Sequence, residues 1–140
     1  MLATRSELLE KIRLGEDSFL ELKEVRFAGS KVRGPTQDDL ADELAAFANS
    51  AGGVLMLGVE DRSREVLGIA AERLDVVEAL VRQACEDSIR PPLAPIIERL
   101  TLPDSVGTEQ PVLRIAVSRS LFVHQSPGGY LHRVGSSKRP

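Results

Sequence analysis

Apolar positions along this chain follow two different periods, and their order predicts a mixed α/β domain of the α+β type. Every third or fourth position is apolar in three segments, which predicts helices over residues 6–13, 36–49 and 75–89. Alternating or continuous short apolar runs predict strands at residues 18–26, 54–59, 66–69, 96–102, 112–117 and 130–134. We therefore expect a mixed sheet of about five or six strands with about three helices.

The clearest strand is the run of residues 54–59, where apolar side chains occupy nearly every position. Such a run is typical of a central strand that is covered on both faces. The helix before it is predicted to begin at Thr36, a good N-cap, and to end at the glycine-containing run of residues 49–53. Residues 28–35 contain two glycines and a proline, and they are predicted to form a loop.

The composition predicts one globular domain over residues 1–140. Tryptophan is absent and aromatic residues make up only 4% of the chain, so the core should be aliphatic. No apolar run is long enough to cross a bilayer, and no membrane partner is expected. The single Cys85 excludes an internal disulfide and fits a cytoplasmic location. The polar last residues do not resemble a finished ending, so we expect the N-terminal part of a longer protein.

Charge is distributed unevenly along the chain, although the net charge is only −3. Residues 110–140 contain no acidic side chain and carry +5, whereas residues 1–109 carry −8. A second basic cluster lies between residues 23 and 33. Two basic segments on an acidic chain favour a site for a polyanion, and a solvated charged surface is the alternative. The predicted nucleic-acid contacts are Arg26, Lys31, Arg33, Arg133, Lys138 and Arg139.

A second group of charged residues could carry chemistry: Glu16, Glu21, Lys23 and Asp61. Glu21 and Lys23 should project from the same face, because side chains alternate along a strand. Glu16 would join them from the turn before the strand, and Asp61 would join them if the central strand is the neighbour. Three carboxylates would suit Mg²⁺ or Mn²⁺, which can activate water beside a phosphate, with Lys23 positioning that water. An ordinary ion pair between Glu21 and Lys23 remains the alternative.

Five short motifs stand in order along the chain. They are Glu16-x4-Glu21-Leu22-Lys23, Ala46-Phe47-Ala48-Asn49-Ser50-Ala51-Gly52-Gly53, Leu57-Gly58-Val59-Glu60-Asp61, Ile89-Arg90-Pro91-Pro92 and Tyr130-Leu131-His132-Arg133-Val134-Gly135-Ser136-Ser137. Together they resemble the Schlafen/AlbA-type DNA-binding domain, over nearly the whole chain from about Gly15. The second and third motifs are the most specific. Leu22 departs from the family, which often has an aromatic residue there, and this difference concerns packing.

The second motif also predicts structural roles for its own residues. Phe47 should anchor the helix on the sheet, and Asn49 should hydrogen-bond to backbone where the helix ends. Gly52 and Gly53 should allow the tight turn into the central strand, because glycine tolerates backbone conformations that other residues avoid.

The resemblance implies a single Schlafen AlbA-like domain that binds nucleic acid, as part of a transcriptional regulator and without a metal. Related vertebrate domains act in pairs as metal-dependent endoribonucleases. By motif matching, their acidic positions correspond to Glu16, Glu21 and Asp61, and one domain would need a homodimer to form the same cleft. A dimerisation or protein-interaction module without a nucleic-acid partner is the third hypothesis.

Overall fold

A computed structural model describes residues 4–140, and its three helices confirm those that the sequence predicted. They are α1 (Arg5–Leu14), α2 (Gln37–Ala48) and α3 (Leu74–Asp87), with a short 3₁₀ turn at Ala71–Arg73 before α3. Thr36 caps α2, since its hydroxyl accepts a hydrogen bond from the Asp39 backbone N–H. The Asp39 carboxylate in turn accepts one from the Thr36 N–H, which completes a capping box.

Eight short strands lie in the described residues. They are β1 (Leu20–Lys23), β2 (Arg26–Ala28), β3 (Lys31–Gly34), β4 (Gly53–Leu57), β5 (Ile96–Pro103), β6 (Glu109–Val117), β7 (His132–Val134) and β8 (Ser137–Arg139). Four of them form one mixed sheet in the order β1-β4-β6-β5. β1 runs parallel to β4, and the other neighbours are antiparallel. β4 has a partner on each side, as predicted for a central strand.

The other four strands form two hairpins outside the sheet, β2 with β3 and β7 with β8. The loop predicted at residues 28–35 is therefore wrong in part: Gly29, with φ of +63°, allows a turn that pairs β3 with β2. The strand predicted at residues 66–69 is also wrong. Val66 forms an isolated bridge with Val59, and the next two N–H groups both donate to the Gly58 carbonyl, so this segment curls. The main sheet thus has four strands, while the α+β class is confirmed.

The sheet separates the core into two parts, one on each face. α2 and α3 cover one face, where Phe47 and Ile115 are fully buried. α1 covers the other face, where Leu8 packs in one cluster with Met56 and Val112. Alternation along the strands decides which part each residue joins. Within residues 4–140, no helix combines the length and the apolar character that a membrane crossing requires.

Candidate nucleic-acid interface

Glu21 and Lys23 lie on the face of β1 that is turned toward α2. Leu20 and Leu22, which alternate with them, join the core cluster under α1. The Lys23 Nζ lies 3.7 Å from the Glu21 Oε1, so the predicted shared face is confirmed. Glu21 is only 7% exposed, whereas the Lys23 side chain is 26% exposed, so the ion pair is partly buried.

Glu43 of α2 completes a charge network that the sequence analysis missed. Its side chain is 3% exposed and lies among three cations. Its carboxylate oxygens are 2.6 Å from the Lys138 Nζ, 3.2 Å from the Arg133 Nη1 and 3.8 Å from the Lys23 Nζ. A signal was present in the sequence, because position 43 falls within the apolar stripe of α2, where a carboxylate requires partners.

Arg133 is buried at the centre of this network, which corrects its prediction as a phosphate contact. Its side chain is 1% exposed, with Nη1 3.4 Å from Glu21 and 3.2 Å from Glu43. Nη2 donates to the Asp17 carbonyl at 2.5 Å, and the guanidinium lies over the Phe47 ring at 4.5 Å. A side chain so enclosed cannot reach a nucleic acid, and it fastens the β7–β8 hairpin to β1 and α2.

Glu16 and Glu21 form a carboxyl pair at the outer edge of β1. The Glu16 Oε2 accepts a hydrogen bond from the Leu22 N–H at 2.9 Å, and the neighbouring Glu21 carboxyl raises the pKa of Glu16. Burial, with the nearby Glu21 and Asp61 charges, raises the pKa of Glu16 from 4.5 to about 8. Burial and the Glu43 charge also raise the pKa of Glu21. Glu16 therefore keeps its proton at neutral pH.

This pair makes stability depend on pH, and we expect Glu16→Gln to remove most of that dependence. Between pH 4.5 and 8 the folded state keeps the Glu16 proton that the unfolded state releases, so stability falls as pH rises through this window. Because Glu16 is only half-buried, solvent screening limits the effect to about 1–2 kcal/mol. Thermal unfolding at pH 5 and pH 8 measures it, with the exposed Glu10→Gln as a control. An unchanged slope in Glu16→Gln would contradict the assignment.

The three predicted metal ligands are only partly brought together. Glu16 and Glu21 are neighbours that influence each other's pKa, whereas Asp61 is exposed in the turn after β4 and acts on Glu16 through its charge. Within the described part of the chain, no three Asp, Glu, His or Cys side chains are grouped to hold a metal ion. Arg133 and Lys23 also form ion pairs with the Glu21 carboxylate, where they compete with a metal ion. The residues as arranged do not fit a three-carboxylate site for Mg²⁺ or Mn²⁺.

Three arginines border a polar groove of about 380 Å³ at the end of β1, which we name the arginine groove. Arg26 and Arg33 come from the β2–β3 hairpin, and Arg62, which the sequence analysis did not single out, follows β4. All three are exposed, and none forms an ion pair with another residue of the described chain. The predicted contact Lys31 is exposed at the start of β3 in the same hairpin.

Acidic residues also line the arginine groove, and two of them accept hydrogen bonds from backbone N–H groups. Asp39 accepts the Thr36 N–H at 3.0 Å, and Glu60 accepts the Ser63 N–H at 2.7 Å. The hydrogen bond from the Thr36 N–H is the largest cause that lowers the pKa of Asp39. For Glu60 the largest cause that lowers the pKa is the hydrogen bond from the Ser63 hydroxyl, followed by the bond from the Ser63 N–H. Glu24 and Asp61 line the groove as well, so four carboxylates balance Lys23 and the three arginines. The groove therefore favours phosphate through guanidinium groups that have no ion-pair partner in the described chain, and not through a net positive charge.

The two basic segments, residues 23–33 and 110–140, both contribute a lysine that lies near Glu43 of α2. Lys138 of β8 is 30% exposed and binds Glu43, and its charge contributes to the lowered pKa of Asp39, which lines the arginine groove. Arg139, the last residue of β8, is exposed. The fold thus brings both basic segments to one helix, although Lys138 is already partly neutralised there.

Comparisons with known proteins agree with this architecture. A family model described as Schlafen, AlbA_2 matches residues 16–140. Among solved structures, the crystal structure of the DIP2311 protein from Corynebacterium diphtheriae is similar over 88% of this chain, with 27% sequence identity and a TM-score of 0.60. The chain corresponds to 22% of that longer protein.

Proposed function

This chain belongs to the Schlafen, AlbA_2 family, and from that premise we propose that it binds nucleic acid through the arginine groove. Family membership supports an association with nucleic acid. We further propose that the partner is DNA and that the domain serves a transcriptional regulator, as the motif resemblance implied. Neither step requires a metal.

The observation that carries the proposal is the grouping of Arg26, Arg33 and Arg62 on one exposed groove without ion-pair partners in residues 4–140. Guanidinium groups bind phosphate oxygens through two parallel hydrogen bonds, which makes arginine well suited to a nucleic-acid backbone. These features recognise phosphate and carry no sequence preference of their own.

We expect the double variant Arg26→Ala/Arg33→Ala to bind nucleic acid about tenfold or more weakly at moderate salt, because two phosphate contacts are lost. The slope of log K against log salt should fall by about 2 in magnitude. End-labelled duplex DNA and structured RNA, titrated at several salt concentrations on native gels, measure both quantities. The relative affinities of the two probes decide between DNA and RNA.

The matched control is Arg13→Ala/Arg82→Ala, which removes the same charge from exposed positions on α1 and α3. This variant should keep wild-type affinity apart from a small long-range effect. Equal losses in the two double variants would mean that only net charge matters. Unchanged binding by Arg26→Ala/Arg33→Ala would place the interface elsewhere.

Two alternatives have less support and are decided by related measurements. Divalent-metal-dependent cleavage of RNA would require a cation at Glu16 and Glu21, which Arg133 and Lys23 already neutralise in part. RNA incubated with Mn²⁺ or EDTA should stay intact on denaturing gels, and cleavage that Glu16→Gln abolishes would establish the nuclease instead. A dimerisation module would give a homodimer in sedimentation experiments and no shift of either nucleic acid.

A further inference from the structure

Arg114 occupies a position in β6 where an apolar side chain would be expected. Val112 and Ala116 share its face of the strand, because side chains alternate, and Val112 belongs to the core cluster under α1. In the sheet Arg114 pairs with Met56 on one side and Glu98 on the other. Its side chain is only 6% exposed, so a positive charge lies beneath α1 on the apolar side of the sheet.

The Arg114 guanidinium lacks hydrogen bonds from the described chain. Its Nε and Nη1 are buried and have no acceptor within residues 4–140. The nearest carboxylate is that of Glu98, with Oε1 3.8 Å from Nη1, which is too long for a hydrogen bond. A buried cation in this state is costly, since it has lost its water without gaining acceptors. An anion bound beside Arg114 would supply the hydrogen-bond acceptors and the negative charge that this guanidinium lacks within the described chain.

Space for such an anion lies directly beside Arg114. Two clefts flank α1, and Arg114 lines both of them. The larger, of about 570 Å³, also contains Lys11 as a second cation and Glu7 as an acidic side chain. Phe19 and Ile96, which are 57% and 58% exposed, provide apolar surface in the same cleft.

The smaller cleft is less suitable for an anion. It is about 340 Å³ and contains the Glu98 carboxylate. Its two other arginines are already paired, Arg5 with Glu109 at 2.6 Å and Arg99 with Asp75 at 2.6 Å. The larger cleft therefore offers both the more favourable charge and the apolar surface.

We propose that the larger cleft between α1 and the sheet binds a small amphipathic anion. A carboxylate or phosphate group accepts hydrogen bonds from Arg114, which lines the cleft, and Lys11 supplies the second positive charge. The apolar or aromatic body of the ligand packs on Phe19 and Ile96. No described residue lines both this cleft and the arginine groove, so the site is distinct from the proposed nucleic-acid interface.

Calorimetric titration at constant ionic strength tests the site with three probes: inorganic phosphate, phenyl phosphate and phenylacetate. We expect saturable binding of at least one phenyl compound, and its affinity should fall about tenfold or more in Arg114→Met because charge-assisted hydrogen bonds are lost. Arg114→Met should fold at least as stably as the wild type, since it removes an unsatisfied buried charge. Arg82→Met, which removes an exposed guanidinium on α3, should bind like the wild type.

A second measurement keeps the proposal testable if Arg114→Met fails to fold. The Arg114 Nε–H resonance of the wild-type protein should shift as phenyl phosphate or phenylacetate is added, and whichever compound binds identifies the anion. The absence of saturable binding by all three probes would overturn the proposal, as would full affinity in Arg114→Met. Arg26→Ala/Arg33→Ala should retain anion binding, so failure here is distinguishable from failure of the nucleic-acid proposal.

Discussion

Arg133→Met should lower the free energy of unfolding by about 3–5 kcal/mol, the range found when one partner of a buried ion pair is removed. The substitution leaves Glu21 and Glu43 buried near each other with fewer compensating charges. It also removes the hydrogen bonds to the Asp17 and Leu20 carbonyls at the free edge of β1. Urea denaturation followed by circular dichroism measures the loss.

Arg139→Met is the matched control for this result, because Arg139 is exposed on the partner strand of the same hairpin. Its cost should remain within about 0.5 kcal/mol. The double variant Arg133→Met/Glu43→Gln should recover part of the loss, since it removes one of the two carboxylates that Arg133 neutralises. A loss in Arg133→Met below about 1 kcal/mol would show that Lys23 and Lys138 suffice to neutralise the network.

Gly52→Ala should lower the free energy of unfolding by roughly 3 kcal/mol, for two reasons that add. Gly52 has φ of +80°, a left-handed conformation that alanine adopts only with strain. A Cβ at this position would also lie 2.6 Å from the Val117 carbonyl oxygen and 3.0 Å from the Arg119 nitrogen. Both contacts are backbone atoms, so no side-chain rotation relieves them.

Gly29→Ala separates the two causes. Gly29 also has a positive φ, +63°, but a Cβ there would meet no atom of the described residues within 4 Å. Its substitution should therefore cost only the conformational strain, about 1 kcal/mol. Thermal or urea unfolding of the two variants side by side measures the difference. Equal losses would mean that the close approach of Gly52 to the end of β6 does not matter.

The helices and the central strand could be predicted because local rules determine them. α2 begins after Thr36 and ends before Asn49, where capping residues occur in the sequence. β4 is apolar on both faces because it lies between β1 and β6 with helices on either side. The shared face of Glu21 and Lys23 follows from strand alternation alone.

Asn49 shows where local rules stop. The sequence predicted that its side chain would hydrogen-bond to backbone near the end of α2. It does so, but the backbone belongs to distant residues: its amide donates at 2.8 Å to the carbonyls of His124 and Leu131 and accepts the His124 N–H at 2.7 Å. Nothing in the spacing around Asn49 indicates which later segment arrives there.

The basic residues show the same limit more clearly. Sequence alone treats Arg33 and Arg133 alike, as cations in basic segments. In the fold Arg33 is exposed on a hairpin, whereas Arg133 is buried against Glu43, which lies 90 positions earlier in the chain. Periodicity arises from backbone geometry within a few residues, so the sequence by itself determined the helices and the central strand, and its motifs indicated the family. Whether a charge meets solvent, an opposite charge or no partner depends on segments that only the tertiary structure brings together, and this decided the roles of Glu43, Arg114 and Arg133.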